Sequence, residues 1–284
     1  MVDKILKKLK FDWVTEVIDM ASEGKIWQYS TFITYYIFFT LFPLFVGVIN
    51  AFQFHNIDIT IIHRLLHNVL PSVLSERLVN DVNVIYENSH FGIYLIALIS
   101  SIWTISWITN SIVMGLNQAY GVGYRRNILV LRLLAFSFTI GLAVWFGLVS
   151  VFLQQVPLNN IQVIIILLLV TFFTSWFIFS TVPNAKQKYY QTLPGAVIVT
   201  LSFLVAGIIY VLLMGLLPSD SILFTMLGAF MIIFAITQKL AFFILVGGLA
   251  NRYFIERREG QVTAKNEDSS FLKLLIRLNI LQEK

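Results

Sequence analysis

Six apolar runs, each long enough to cross a bilayer as a helix, leave this chain little choice of architecture: residues 28–52, 91–117, 128–153, 161–181, 195–217 and 222–250. A helical span needs roughly 20 predominantly apolar residues. The runs do not alternate polar and apolar residues as the strands of a membrane barrel would. Tyr, Trp and Phe are frequent near their ends, where amphipathic rings settle at the interface. The expected fold is all-α: a polytopic integral membrane helical bundle with six transmembrane helices. Composition agrees, since 58% of the 284 residues are hydrophobic and 12% charged, about half the charged fraction of a soluble domain. There is no cysteine, which excludes disulfides, thiolate metal sites and cysteine nucleophiles. The first 28 residues are charged and mixed, which predicts no cleavable signal segment.

The basic residues orient the bundle. Seventeen fall in the N-terminal segment, the loops after the second and fourth runs and the tail, whereas only Arg64 and Arg77 lie in the other connections. The positive-inside rule then places both termini in the cytoplasm. The net charge of +5 reads as a topology signal, with attraction to anionic inner-leaflet lipids, and not as a nucleic-acid surface. The expected organisation is a cytoplasmic amphipathic segment at 1–27, a membrane domain at 28–251 and a cytoplasmic tail at 252–284. In the tail, Phe271, Leu274, Leu275, Leu278 and Leu281 form an apolar stripe beside Lys273 and Arg277, the pattern of an interfacial helix.

Residues 55–90 form the long external connection. Ile61, Ile62, Leu65, Leu66, Val69 and Val73 recur at helical spacing, and Pro71 breaks or starts a helix. An amphipathic helical pair lying at the outer interface or capping the bundle is expected. All four histidines, His55, His63, His67 and His90, fall here. His63 and His67 share a helical face at zinc-compatible spacing, but a pair is too few ligands unless Asp58 or Asp81 folds back. The reading is therefore no metal, with His63 and His67 as weak candidates.

Apart from Arg132 near the start of the third run, Lys239 is the one charged residue within the six runs. Translocon scales charge about 3 kcal/mol for a lysine at mid-span. It lies eleven residues before Ala250, or roughly 16 Å at 1.5 Å per residue. On a straight helix Thr225, Gly228, Ala235 and Ala250 share its face, a small-residue stripe of the kind that packs against neighbouring helices. Lys239 is thus expected to face the interior or a wet cavity. Ser106, Asn110 and Asn117 recur at spacings of four and seven in the second run, and Thr40 and Pro43 lie at similar depth in the first. Pro43 removes a backbone donor and frees a carbonyl near Phe39.

Several segments, taken in order, resemble the YihY/BrkB membrane proteins, once labelled ribonuclease BN. "TYYIFFTLFPLF" resembles the family's Ala-Tyr-Tyr…Ser-Leu-Phe-Pro-Leu signature, with Thr40 in the serine place. "GLNQAYGV" followed by Arg125 and Arg126 resembles its Asn…Tyr-Gly segment, and "VPNAKQKYYQTLPGA" its Pro-Asn…Pro-Gly-Ala stretch. "LGAFMIIF" matches the start of its last span. Where the family often reads Gly-Ala-Glu-Leu-Asn, this chain has Gly247-Gly248-Leu249-Ala250-Asn251, and Thr237, Gln238 and Lys239 replace an aromatic-rich stretch. The family glutamate's role does not carry over. The resemblance implies a six-helix protein of the bacterial cytoplasmic membrane that exports or flips a lipid-like envelope component.

The residues themselves suggest the same class. A lone intramembrane cation with no carboxylate near it in the spans suits the headgroup of an anionic amphiphile. The expected substrate-binding set is Lys239, Gln238, Asn110, Asn117, Ser106, Thr40 and Trp107, with Pro43 as the helix break. A scaffold for envelope proteins is the alternative, and a lipid-modifying enzyme comes after it because the spans hold no acid–base pair. Metal-dependent phosphodiester hydrolysis needs clustered His and carboxylate ligands, so ribonuclease activity and nucleic-acid partners are not expected. No nucleotide-binding Gly-x-x-x-x-Gly-Lys-Ser/Thr motif occurs, and no cofactor is expected; the partners are membrane lipids.

Overall fold

The computed structural model describes residues 19–21, 25–123, 159–217 and 221–264. The third apolar run, the helix expected in the tail and most of the N-terminal segment lie outside the described residues. Seven α-helices make up the rest: α1 (Ile26–Phe54), α2 (Thr60–Val69), α3 (Ser72–Glu87), α4 (Phe91–Ala119), α5 (Asn160–Thr181), α6 (Leu193–Met214) and α7 (Ile222–Glu259). A 3₁₀ turn at Tyr189–Thr192 leads into α6. No strand occurs among the described residues, only one isolated antiparallel bridge between Ala185 and Ala264. Five helices, α1, α4, α5, α6 and α7, are long and apolar enough to span a bilayer. Their outward faces carry large apolar side chains such as Phe42 and Leu216, 76% and 79% exposed. Water would not tolerate this much bare apolar surface on a monomer; lipid does.

Local chemistry sets the helix limits. Asn159 and Gln162 form a capping box at the start of α5, each side chain accepting the other's backbone N–H at 2.9 and 3.0 Å. Gly260 ends α7 with φ 85°, a left-handed turn that costs glycine little. α7 has 38 residues, about 57 Å of helix, so it outruns a hydrocarbon core of about 30 Å. It continues past residue 250, where the apolar run stops, because Asn251, Tyr253 and Ile255 are still buried against other elements.

The helix ends converge at one pole. Gly115 of α4 lies against Tyr29 of α1 and Leu245 of α7, Gly195 of α6 against Gly247, and Phe179 of α5 against Gly247. The main core follows: Ile26, Ile33, Leu116, Phe179, Val199, Leu245 and Leu249 cluster here. This pole also carries Lys186, Lys188, Arg252, Arg257 and Arg258, and we call it the basic end. α4 and α5 both finish there.

At the opposite end α2 and α3 dock on α1. Ile62 and Val82 pack on Ile49, with Phe45, Phe52, Leu66 and Ile85 around them. The expected α2 stripe is split: Ile62 is 6% exposed, whereas Ile61 and Leu65 are 41% and 58% exposed. One edge of the stripe caps the bundle and the other stays open, the two placements that the sequence left as alternatives.

Candidate functional site

Lys239 sits where α7 passes between α1 and α6. It is exposed, as is Ala235, while Thr225 and Ala250 of the same small-residue stripe are buried. Of the two placements expected for Lys239, the interior or a cavity, the structure does not show the first: its side chain is exposed and borders a groove. A helix this long cannot keep one stripe on one partner, and the middle of the stripe opens onto a groove between α6 and α7. The groove has a volume of about 470 Å³ and is lined by Leu201, Val205, Ile209, Ile236, Phe243 and other apolar side chains, with Ser202 and Lys239 as the polar exceptions. The Ser202 hydroxyl donates back to the Val199 carbonyl at 2.7 Å, and Lys239 contributes its alkyl stem to the groove wall. Its Nζ lies 4.8 Å from the centroid of the Trp27 ring. Trp27 is the second residue of α1, so the long side chain carries its charge toward the basic end. A cation–π contact returns about 0.5–2 kcal/mol against the insertion cost of about 3 kcal/mol. Two ion pairs occur among the described residues, Lys188–Glu259 and Arg252–Glu256, and neither includes Lys239.

The other expected site residues do not gather around it. The Gln238 amide donates to Thr31 Oγ1 at 3.3 Å across the α1–α7 seam. Trp107 stacks on Tyr36 at 5.7 Å, in the α1–α4 seam. In the same seam Gly47 meets Ala97, a register that sets Thr40 opposite Thr104. Both threonines are buried, and each donates to its own helix, Thr40 to Tyr36 O at 2.7 Å and Thr104 to Ser100 O at 3.0 Å. Ser106 turns onto Trp103 O at 2.6 Å, and Asn110 onto Met114 Sδ at 3.5 Å. Pro43 lies inside α1, which is assigned as one continuous helix. Asn117 is elsewhere again, at the basic end.

There the structure builds a polar lattice that the sequence reading did not assemble. Asn117 is 3% exposed, and its Oδ1 accepts the Asn184 backbone N–H at 2.7 Å. Asn251, fully buried, accepts the Gly195 N–H on Oδ1 at 2.7 Å and donates from Nδ2 to the Tyr120 hydroxyl at 3.0 Å. The first turn of α6 is thus capped by a side chain of α7. Gln187 donates to the Phe179 carbonyl at 2.5 Å. Burial pushes the Tyr120 phenol well above the ordinary tyrosine range, outweighing the Asn251 and Gln187 hydrogen bonds that act in the opposite direction. Tyr120 therefore remains a neutral hydroxyl at physiological pH. A Cβ on Gly195 would strike the Gly247 carbonyl and the Asn251 amide, so the α6–α7 crossing depends on bare backbone.

The lattice residues lie in "GLNQAYGV", "VPNAKQKYYQTLPGA" and the end of "GGLAN", the segments compared above with one family. The family model for virulence factor BrkB matches residues 17–271. The chain belongs to that family. No curated protein and no solved structure matches it. With its five described spans, this BrkB-family member is a multi-pass integral membrane protein. Within it, Asn184, Gly195, Tyr120 and Asn251 could have been found from one signal: three segments distant in sequence each place Asn or Gly beside a span end.

His63 and His67 hold α2 to α3. His63 Nε2 lies 3.0 Å from Asn83 Oδ1 and His67 Nδ1 lies 2.9 Å from Ser75 Oγ. Asp58 accepts the backbone N–H and hydroxyl of Thr60 at 2.9 and 2.7 Å, which holds its carboxyl below the usual aspartate range. No group of three or more metal-ligand side chains occurs among the described residues.

Proposed function

We propose that this protein is a transporter or flippase-like exporter of an anionic amphiphile in the bacterial cytoplasmic membrane, not an enzyme, with membrane lipids rather than nucleic acid as its partners. The observation that carries the reading is the placement of Lys239: its alkyl stem borders an apolar groove between α6 and α7, while its Nζ lies beside Trp27 at the edge of α1. An acyl chain suits the groove walls, and a phosphate or carboxylate headgroup suits the Lys239–Trp27 edge. Asn110, Ser106, Thr40 and Trp107 serve helix packing in this reading: Asn110, Ser106 and Thr40 bond groups of their own helices, and Trp107 stacks on Tyr36.

The test is translocation of fluorescent phosphatidylglycerol against phosphatidylcholine in proteoliposomes. Lys239→Met is expected to lower the phosphatidylglycerol rate about tenfold, the equivalent of one interaction of about 1.4 kcal/mol, while leaving thermal stability unchanged or raised. Lys239→Arg should be partly active, because a planar fork is not a point charge. Full activity in Lys239→Met would overturn the assignment.

A further inference from the structure

We infer that the basic end of the bundle is a latched gate, held shut by Asn251, Tyr120 and Asn117 and fastened by a strap formed by the residues after α7. The inference rests on the transport reading for its purpose, but its geometry stands apart from Lys239.

Three hydrogen bonds join four separate pieces of chain here: α4, the α5–α6 connection, the start of α6 and α7. Two of them end on backbone N–H groups, which exchange readily for water once exposed. The closed arrangement also leaves polar atoms unsatisfied. Gln187 Oε1 and the Tyr253 hydroxyl are buried without a protein partner. Orphaned groups penalise the closed state, and hydration in an opened state removes that penalty. Hydration of these groups in an opened state offsets part of the packing that opening gives up, and the latch bonds decide how much remains.

The strap adds the fastening. Gly260 reverses the chain at φ 85°. The returning segment pairs Ala264 with Ala185, and Lys186 N–H donates to Thr263 O at 2.8 Å. Lys188 Nζ pairs with Glu259 Oε1 at 3.1 Å. The end of α7 is thereby tied to the connection whose Asn184 and Gly195 amides the latch holds. Release of the strap and rotation of the α6 start away from Asn251 become one motion.

The absence of native cysteine makes the gate directly testable. Partners in an antiparallel bridge have Cα atoms about 4.5–5.5 Å apart, within the usual disulfide range of about 4.4–6.8 Å. The double variant Ala185→Cys/Ala264→Cys therefore locks the strap on oxidation. Amide hydrogen exchange of the full chain in phosphatidylglycerol nanodiscs reads the α6 start, residues 195–198, against mid-α6, residues 203–210, as internal reference. Tyr120→Phe, which removes the hydroxyl shared by Asn251 and Gln187, should speed exchange at the α6 start about tenfold with the reference unchanged. The oxidised lock should slow it at least threefold, reversibly on reduction. If the reference rises together with the α6 start, Tyr120→Phe has loosened the whole helix, and the locked form alone decides. Exchange at the α6 start that ignores the lock overturns the gate. Failure to move phosphatidylglycerol, by contrast, would remove the transport reading and leave the exchange result standing.

Discussion

The middle of the bundle and its basic end handle polar groups in opposite ways. In mid-span, hydroxyls satisfy themselves within their own helix: Thr40, Ser101, Thr104, Thr171, Thr200 and Thr237 each donate to a carbonyl three or four residues back. Such bonds cost nothing to keep when helices slide. At the basic end, Asn117 and Asn251 bond backbone groups 67 and 56 residues away in sequence. Those bonds fix one arrangement and break when it changes. Small hydroxyls thus allow close packing in lipid without specifying a partner, while carboxamides near the aqueous boundary specify one.

The strongest way to break this contrast is to add a methyl group on each side of it. Both positions are on α6. A Cβ on Gly195 meets Asn251 Cγ at 2.8 Å, whereas one on Gly207 has nothing within 4 Å. Gly195→Ala is expected to destabilise the protein by about 3 kcal/mol, the upper end for overpacking. Gly207→Ala should be neutral or stabilising by up to about 1 kcal/mol. Thermal unfolding in detergent measures both, and equal effects would mean that the α6–α7 crossing is not tight.

The next effect concerns hydrogen bonds alone. Asn251→Ala leaves the Gly195 N–H unpaired in a buried site and takes the Asn251 donor from the Tyr120 hydroxyl, which should cost about 2–3 kcal/mol. Thr40→Val removes a hydroxyl that served only its own helix, and should cost less than about 1 kcal/mol. If the two variants melt alike, the cross-element bonds are no more specifying than the local ones.

Much of this fold is written in hydropathy. Apolar runs located the five described spans, because lipid requires helices to satisfy their backbones internally, and Pro71 separated α2 from α3 as its fixed φ requires. The site was harder to read. Helical periodicity put Lys239 on a small-residue face, but it could not say that the middle of that face borders a groove while Thr225 and Ala250 are buried. It grouped Asn110 with Asn117 by spacing, although the two meet different partners. Asn251 and Tyr120 went unassigned because their roles are set by backbone N–H and hydroxyl groups from other helices, and only tertiary contact reveals those.

The smallest expected effect tests the strap's outer edge. Lys188 and Glu259 are both exposed, and exposed pairs contribute little. Lys188→Ala should barely shift the melting temperature, yet it should loosen the strap locally, seen as faster exchange of the Lys186-region amides beside Thr263. The pH response follows from the direction of the lysine's shift. The Glu259 carboxylate beside it raises the Lys188 pKa above the ordinary lysine value. A base whose folded pKa is raised contributes stability that is complete below its unfolded value of about 10.4 and is lost as the pH climbs through the folded value. Local exchange at the strap, corrected for intrinsic base catalysis, should therefore be unaffected by this lysine near neutral pH and rise only in strong alkali. That alkaline rise should vanish in Lys188→Ala. If it persists, the strap is opening through another group, and the Ala185–Ala264 backbone bridge alone fastens it.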